Sequence, residues 1–124
     1  MSTADQRILV VDDDPQVLKL LTAMLGRKGH AVIAASSGAQ ALELFEKHSF
    51  QLLITDMAMP SMTGMQLSLA FKRRFPSVPV IMLTADPSQV SPEAVATPSC
   101  IDLLLQKPAS ITSINQAVQQ LMSR

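Results

Sequence analysis

Five short apolar runs alternate along the chain with stretches whose apolar residues recur every three or four positions. The first run, Arg7 to Asp12, is β-branched and apolar throughout its middle, as expected of a strand buried on both faces. Asp14-Pro15 then opens a helix, with Asp14 as N-cap and Pro15 at the first helical position. Val17, Leu18, Leu21, Met24 and Leu25 share one face of it, and Gly29 ends it.

The same unit recurs. His30 to Ala34 predicts a weaker strand, and Ser37 opens a helix that turns Leu42 and Phe45 inward. Gln51 to Asp56 predicts a third strand, followed by a loop holding Pro60 and Gly64 and a helix from Met65 to about Phe75. Val78 to Thr84 and Ile101 to Leu105 predict the fourth and fifth strands. Ile111, Ile114, Val118 and Leu121 give the last helix its apolar stripe. Pro87, Pro92 and Pro98 cannot share one helix, so the segment before Ile101 reads as a brief helix capped by Ser91 and ending before Pro98.

Strands alternating with helices imply right-handed crossovers and a parallel sheet covered on both faces. The expectation is one α/β domain over residues 1–124, with residues 1–6 as an extended or disordered tail. It is a doubly wound (βα)5 sandwich.

Composition narrows the function. Ten basic and ten acidic side chains leave no net charge, which argues against a domain built to grip nucleic acid or an anionic membrane. The single cysteine, Cys100, forms no internal disulfide, and no apolar run is long enough for a signal peptide or a membrane span. A cytoplasmic globule is the resulting expectation.

In open parallel sheets, ligands bind beyond the carboxyl ends of the strands. Here the first strand ends in Asp12 and Asp13, the third in Asp56 and the fourth in Thr84, while Lys107 follows the fifth. Three carboxylates brought together repel by roughly 4 kcal/mol per pair at about 4 Å and an effective dielectric near 20. A hard cation relieves that cost, and an all-oxygen donor set favours Mg²⁺. A carboxylate beside Mg²⁺ is a competent nucleophile toward phosphorus, and Lys107 and Thr84 suit the charge on the incoming oxygens. Asp56 stands alone on its strand and is the better nucleophile; the Asp12-Asp13 pair is the better metal cradle.

The segments ILVVDDDP, LLITDMAMPSMTGMQL, VPVIMLTA and LLLQKP, in this order and spacing, resemble a response-regulator receiver domain of two-component signalling, from about Arg7 to Met122. The resemblance implies a flavodoxin-like, CheY-like fold with strand order 2-1-3-4-5. It implies that Asp13, Asp56 and the backbone carbonyl of Ala58 coordinate Mg²⁺, with Asp12 acting through water. It further implies that Asp56 accepts a phosphoryl group from a histidine kinase or histidine phosphotransfer protein, with Thr84 and Lys107 contacting that group. The module would switch its binding to a downstream protein or a fused output domain, with a homodimer as one form of the switched state. It would lose its phosphoryl group by slow self-hydrolysis rather than act as a turnover enzyme.

Two other protein classes share part of this pattern. Phosphatases of the haloacid-dehalogenase type also use Asp, Thr, Lys and Mg²⁺, and Asp12 to Asp14 imitates their Asp-x-Asp pattern. That class wants Thr or Val at position 16, where Gln16 stands, together with a later acidic pair. A scaffold that keeps the fold without phosphorylation is the other alternative. Met57, Met59, Met62 and Met65 could suggest a soft metal but read better as gap-filling core residues. Two positions depart from the family pattern. Leu104 stands where receivers usually carry Tyr or Phe, and Ala109 stands where Phe is common. The expectation is therefore that phosphorylation is retained and output coupling is altered.

Overall fold

The structure is a computed structural model that describes residues 7–86, 88 and 101–122. The strands are β1 (Arg7–Val11), β2 (Ala31–Ala35), β3 (Leu52–Asp56), β4 (Val80–Thr84) and β5 (Leu103–Gln106). The helices among the described residues are α1 (Pro15–Arg27), α2 (Gly38–Lys47), α3 (Gly64–Arg74) and α4 (Ile111–Met122). All strand pairs are parallel, and the sheet order is β2-β1-β3-β4-β5, as the family resemblance implies. The expected N-terminal tail, the Ser91 helix and Cys100 lie outside the described residues.

Alternation along each central strand feeds two cores. Ile8, Val10, Leu52, Ile54, Ile81 and Leu83 pack with α1 and α4 on one face. Leu9, Val11, Leu53 and Val80 pack with α2 and α3 on the other. β3 and β4 are buried at every position, which is why their sequences are apolar runs rather than alternations. All four phenylalanines, Phe45, Phe50, Phe71 and Phe75, pack together in the α2/α3 core, edge-on except for the tilted Phe71–Phe75 pair.

The helix starts follow cap chemistry. Asp14 accepts from the Gln16 N–H at 2.9 Å, and Ser37 accepts from the Gln40 N–H at 3.1 Å. Thr63 and Gln66 form a reciprocal capping box, so α3 starts at Gly64, one residue earlier than expected. Gly29, at φ +89°, closes α1 in the left-handed region that glycine adopts without a Cβ clash.

Besides shifts of one or two residues at the ends of other strands, such as β2 starting at Ala31 and β4 at Val80, two expectations change. β5 begins at Leu103 rather than Ile101, because the Asp102 carboxylate takes the Val80 N–H at 2.8 Å and also pairs with Lys72 at 2.8 Å. Ile101 is fully buried against Met82 instead, in a satellite cluster with Met57, Met65 and Leu104. Ile111, assigned to the buried stripe of the last helix, is 51% exposed because it starts the first turn of α4.

Candidate functional site

β1 pairs with β2 on one side and β3 on the other, so successive connections diverge at the carboxyl ends of β1 and β3. A crevice forms at such a switch point. Asp12 and Asp13 follow β1 directly, and Asp56 is the last residue of β3. Carboxylate oxygens of Asp12, Asp13 and Asp56 all lie within 4.8 Å of one another. Asp12 and Asp56 are buried, and Asp13 is exposed.

Lys107 reaches into this group from beyond β5. Its Nζ lies 3.0 Å from Asp12 Oδ2 and 3.1 Å from Asp56 Oδ1. The other Asp12 oxygen accepts from the Asp14 N–H at 2.9 Å, which fixes that carboxylate in place. The peptide after Lys107, to Pro108, is cis.

Burial raises the Asp56 pKa above its ordinary value; the Lys107 hydrogen bond opposes this and the nearby Asp12 charge reinforces it. The Lys107 charge and the Ala58 N–H, which donates to the Asp56 carboxylate, lower it, but the net direction is upward. Burial works against the Lys107 charge, yet hydrogen bonds and Coulomb attraction from Asp12 and Asp56 outweigh it and raise its pKa. A single ammonium among three carboxylates leaves excess negative charge. The all-oxygen donor set and the close convergence of Asp12, Asp13 and Asp56 fit a hard divalent cation.

Thr84 is buried at the end of β4, but its hydroxyl donates to the Asp86 carbonyl at 3.2 Å, and the Asp86 N–H donates to it at 3.2 Å. Of the expected site residues, the structure brings Asp12, Asp13, Asp56 and Lys107 together. Thr84 stands on the neighbouring strand end, bonded to its own loop.

Gly64 is a site residue that sequence reasoning treated only as loop punctuation. Its N–H donates to the Met57 carbonyl at 2.8 Å, which draws the α3 terminus onto the strand end carrying Asp56. The signal was the Thr63-x-x-Gln66 box, which puts Gly64 at the first helical position.

The fold and this edge define a doubly wound sheet presenting an acidic, lysine-capped pocket at its switch point. The family model of the response regulator receiver domain matches residues 8–119, and the chain belongs to that family. The chain is 38% identical to the transcriptional regulatory protein GlrR of Escherichia coli, over 100% of this chain and 28% of that protein. Among solved structures, a response regulator receiver domain protein from Clostridium thermocellum has a TM-score of 0.85 at 29% identity, covering 96% of this chain and 95% of that one. The response regulator TrrA of Thermotoga maritima, in complex with Mg²⁺-BeF, has a TM-score of 0.83 at 28% identity, covering 94% and 98%. The chain thus spans a little over a quarter of GlrR and nearly all of the two solved receivers. No helix among the described residues is long and apolar enough to cross a membrane.

Proposed function

We propose that Asp56 accepts a phosphoryl group from a histidine kinase or histidine phosphotransfer protein in a Mg²⁺-dependent reaction, and that the phosphorylated domain signals by altered partner binding. The observation that carries this reading is the Asp56 carboxylate, buried at the central strand end 3.1 Å from the Lys107 ammonium and among two further carboxylates.

An Asp56 oxygen attacks phosphorus as the donor imidazole leaves. Lys107 is placed to hold one phosphoryl oxygen while retaining Asp12, so the ion pair changes partners rather than breaking in water. The Thr84 hydroxyl, freed from the Asp86 carbonyl by rotation about one bond, donates to a second oxygen. Mg²⁺, when bound, supplies charge neutralisation for the remaining oxygen and for the acidic pocket. That exchange at Thr84 loosens the loop after β4, which offers a route from the acceptor to the binding surface. The chain acts as a switch and releases the phosphoryl group by slow self-hydrolysis, not as a turnover enzyme.

The BeF in TrrA is a phosphoryl mimic, and its presence with Mg²⁺ in a receiver of this fold supports the reading. The GlrR likeness supports an output that regulates transcription through a partner or attached domain. A cytoplasmic location follows from this signalling role, and a homodimer is one form the switched state would take.

The test is acetyl phosphate with Mg²⁺, read by intact mass, on wild type and Asp56→Asn. A single phosphoryl adduct on wild type, lost without Mg²⁺ and in the variant, is the expected result. No adduct on wild type, where a control receiver labels, would overturn it.

A further inference from the structure

The run Met57, Met59, Met62 and Met65 follows Asp56 at intervals of two or three residues, and phosphoryl transfer uses none of these sulfurs. Met59 is buried, whereas Met57, Met62 and Met65 are half-buried and meet solvent along part of each side chain. Met57 and Met65 form the rim of a small apolar cluster, with Leu104 beside them and the buried Met82 and Ile101 as its floor. Three thioethers thus converge next to the acceptor strand end.

The cluster underlies a joint between β3, β4 and α3. The Met57 N–H donates to the Leu83 carbonyl, and the Met57 carbonyl accepts from the Gly64 N–H, both at 2.8 Å. The Met82 sulfur packs against Gly64 at the same place. Asp56 immediately precedes Met57, so the backbone fastened here also carries the acceptor. Methionine suits such an irregular space because its thioether is flexible and apolar. One added oxygen makes the side chain polar and chiral. A sulfoxide facing Met82, Ile101 and Leu104 either stays without a hydrogen-bond donor or turns out to water. Either outcome withdraws packing from the joint.

We propose that Met57 and Met65 are a redox modification site, at which a hydroperoxide converts the thioethers to sulfoxides and thereby slows phosphoryl transfer to Asp56. The inference rests on the phosphoacceptor reading above and adds a means of regulating it. A sulfur lone pair attacks one peroxide oxygen; the S–O bond forms and the O–O bond breaks. A proton passes from the oxygen gained by sulfur to the departing one. The sulfur has then lost two electrons, and hydrogen peroxide has been reduced to water. Buried Met59 and Met82 react only when the fold opens. Met122, half-buried at the end of α4, reacts without touching the joint.

The probe is hydrogen peroxide on the full chain, with oxidised positions mapped by peptide mass once the peroxide is removed. Labelling by acetyl phosphate with Mg²⁺ is then timed by intact mass, and the measured quantity is the treated-to-untreated rate ratio within each protein. Met57 and Met65 are expected to oxidise ahead of Met59 and Met82, and the ratio to fall about tenfold, within what a misplacement of about 1 Å commands. Met57→Leu combined with Met65→Leu conserves volume and is expected to hold the ratio near one. That variant keeps Cys100, the other side chain open to peroxide, so protection in it assigns the effect to the two thioethers. Met122→Leu is expected to stay as sensitive as wild type. Where the double variant fails to fold, methionine sulfoxide reductases of both epimer specificities, applied to oxidised wild type, are expected to restore labelling beyond what their thiol reductant restores alone. A ratio near one in wild type oxidised at Met57 and Met65 overturns the proposal. So does a double variant as sensitive as wild type, or a rate still low after the two sulfoxides are reduced. In each case an adduct on untreated wild type leaves the phosphoacceptor reading intact; no adduct there overturns both.

Discussion

Gly64 stands so close to Asp56 that a β-carbon on it would lie 2.3 Å from the Asp56 carbonyl oxygen. The same atom would lie 3.0 Å from the Met57 Cα and 2.7 Å from the Met82 sulfur. The sulfur ends a flexible side chain and can move; the backbone atoms cannot do so without carrying the strand end with them. Gly64→Ala is therefore expected to cost about 1–3 kcal/mol, the range for overpacking a tight core. It is also expected to slow labelling of Asp56 by acetyl phosphate, since the displaced backbone carries the acceptor. Urea unfolding and intact-mass kinetics check the two effects. Unchanged values in both would mean that α3 simply slides away.

How much of this was legible beforehand follows from what each residue type can signal. The alternation of strands and helices, the two cores and the four grouped site residues rest on periodicity and on polar residues at strand ends, which are local features of the sequence, whereas the strand order rests on the family resemblance. Gly64 was not read as a close approach, because a glycine beside Pro60 looks like any loop glycine until α3 is docked. Ile111 satisfies the helical stripe as well as Ile114 does, and only its place in the first turn of α4 decides that it stays exposed. The late start of β5 turns on the Asp102 side chain reaching a backbone N–H 22 residues away, which no local pattern encodes. Thr84 was assigned by its position at a strand end, and its bonds to Asp86 appear only in three dimensions.

Lys107 is the cation already resident in the acidic pocket, and it competes with any divalent ion for the same oxygens. Removing it by Lys107→Ala leaves two buried carboxylates without their partner, which is expected to cost roughly 3–5 kcal/mol when no metal is added. A bound divalent ion replaces part of that charge. Mg²⁺ is therefore expected to raise the melting temperature of Lys107→Ala by more than that of wild type, because binding stabilises only the folded state. Thermal unfolding across a Mg²⁺ titration reads this directly. An equal Mg²⁺ response in both proteins would argue that the ion does not sit among these carboxylates.

The raised pKa of Asp56 makes its ionised form a net burden on the fold. Its ordinary value is 3.8. Below that value the group is protonated folded and unfolded, and no cost arises. As pH rises from 3.8 to the higher folded value, the unfolded chain ionises first, and stability falls. Above the folded value the cost is constant. Asp56→Asn, measured without metal, should consequently melt at a higher temperature than wild type at pH 7. The difference should vanish below about pH 3.8. Melting curves at pH 3 and pH 7 check the sign, and a less stable Asp56→Asn at pH 7 would show that the Lys107 bond dominates.

Asp102 offers the contrasting case of a carboxylate that holds the sheet and not the chemistry. One of its oxygens accepts from the Lys72 ammonium and from the Val80 N–H, both at 2.8 Å, so it ties α3 to the start of β4 and the approach to β5. Val80 is fully buried, and its N–H has no ready access to water once the carboxylate is gone. The lysine is only partly buried and can turn outward, so its share of the loss is small. Asp102→Ala is thus expected to cost about 1–3 kcal/mol, set by the orphaned backbone donor rather than by the ion pair. Lys72→Met, which keeps the Val80 bond, should cost less than 1 kcal/mol, in the range of exposed ion pairs. The Asp102 carboxylate bonds to Lys72 and Val80 and not to the acidic pocket, so labelling of Asp56 by acetyl phosphate should keep its wild-type rate in both variants. Urea midpoints paired with intact-mass kinetics separate the two quantities. A slowed adduct at unchanged stability would place Asp102 in the signalling route and contradict its assignment as a sheet anchor.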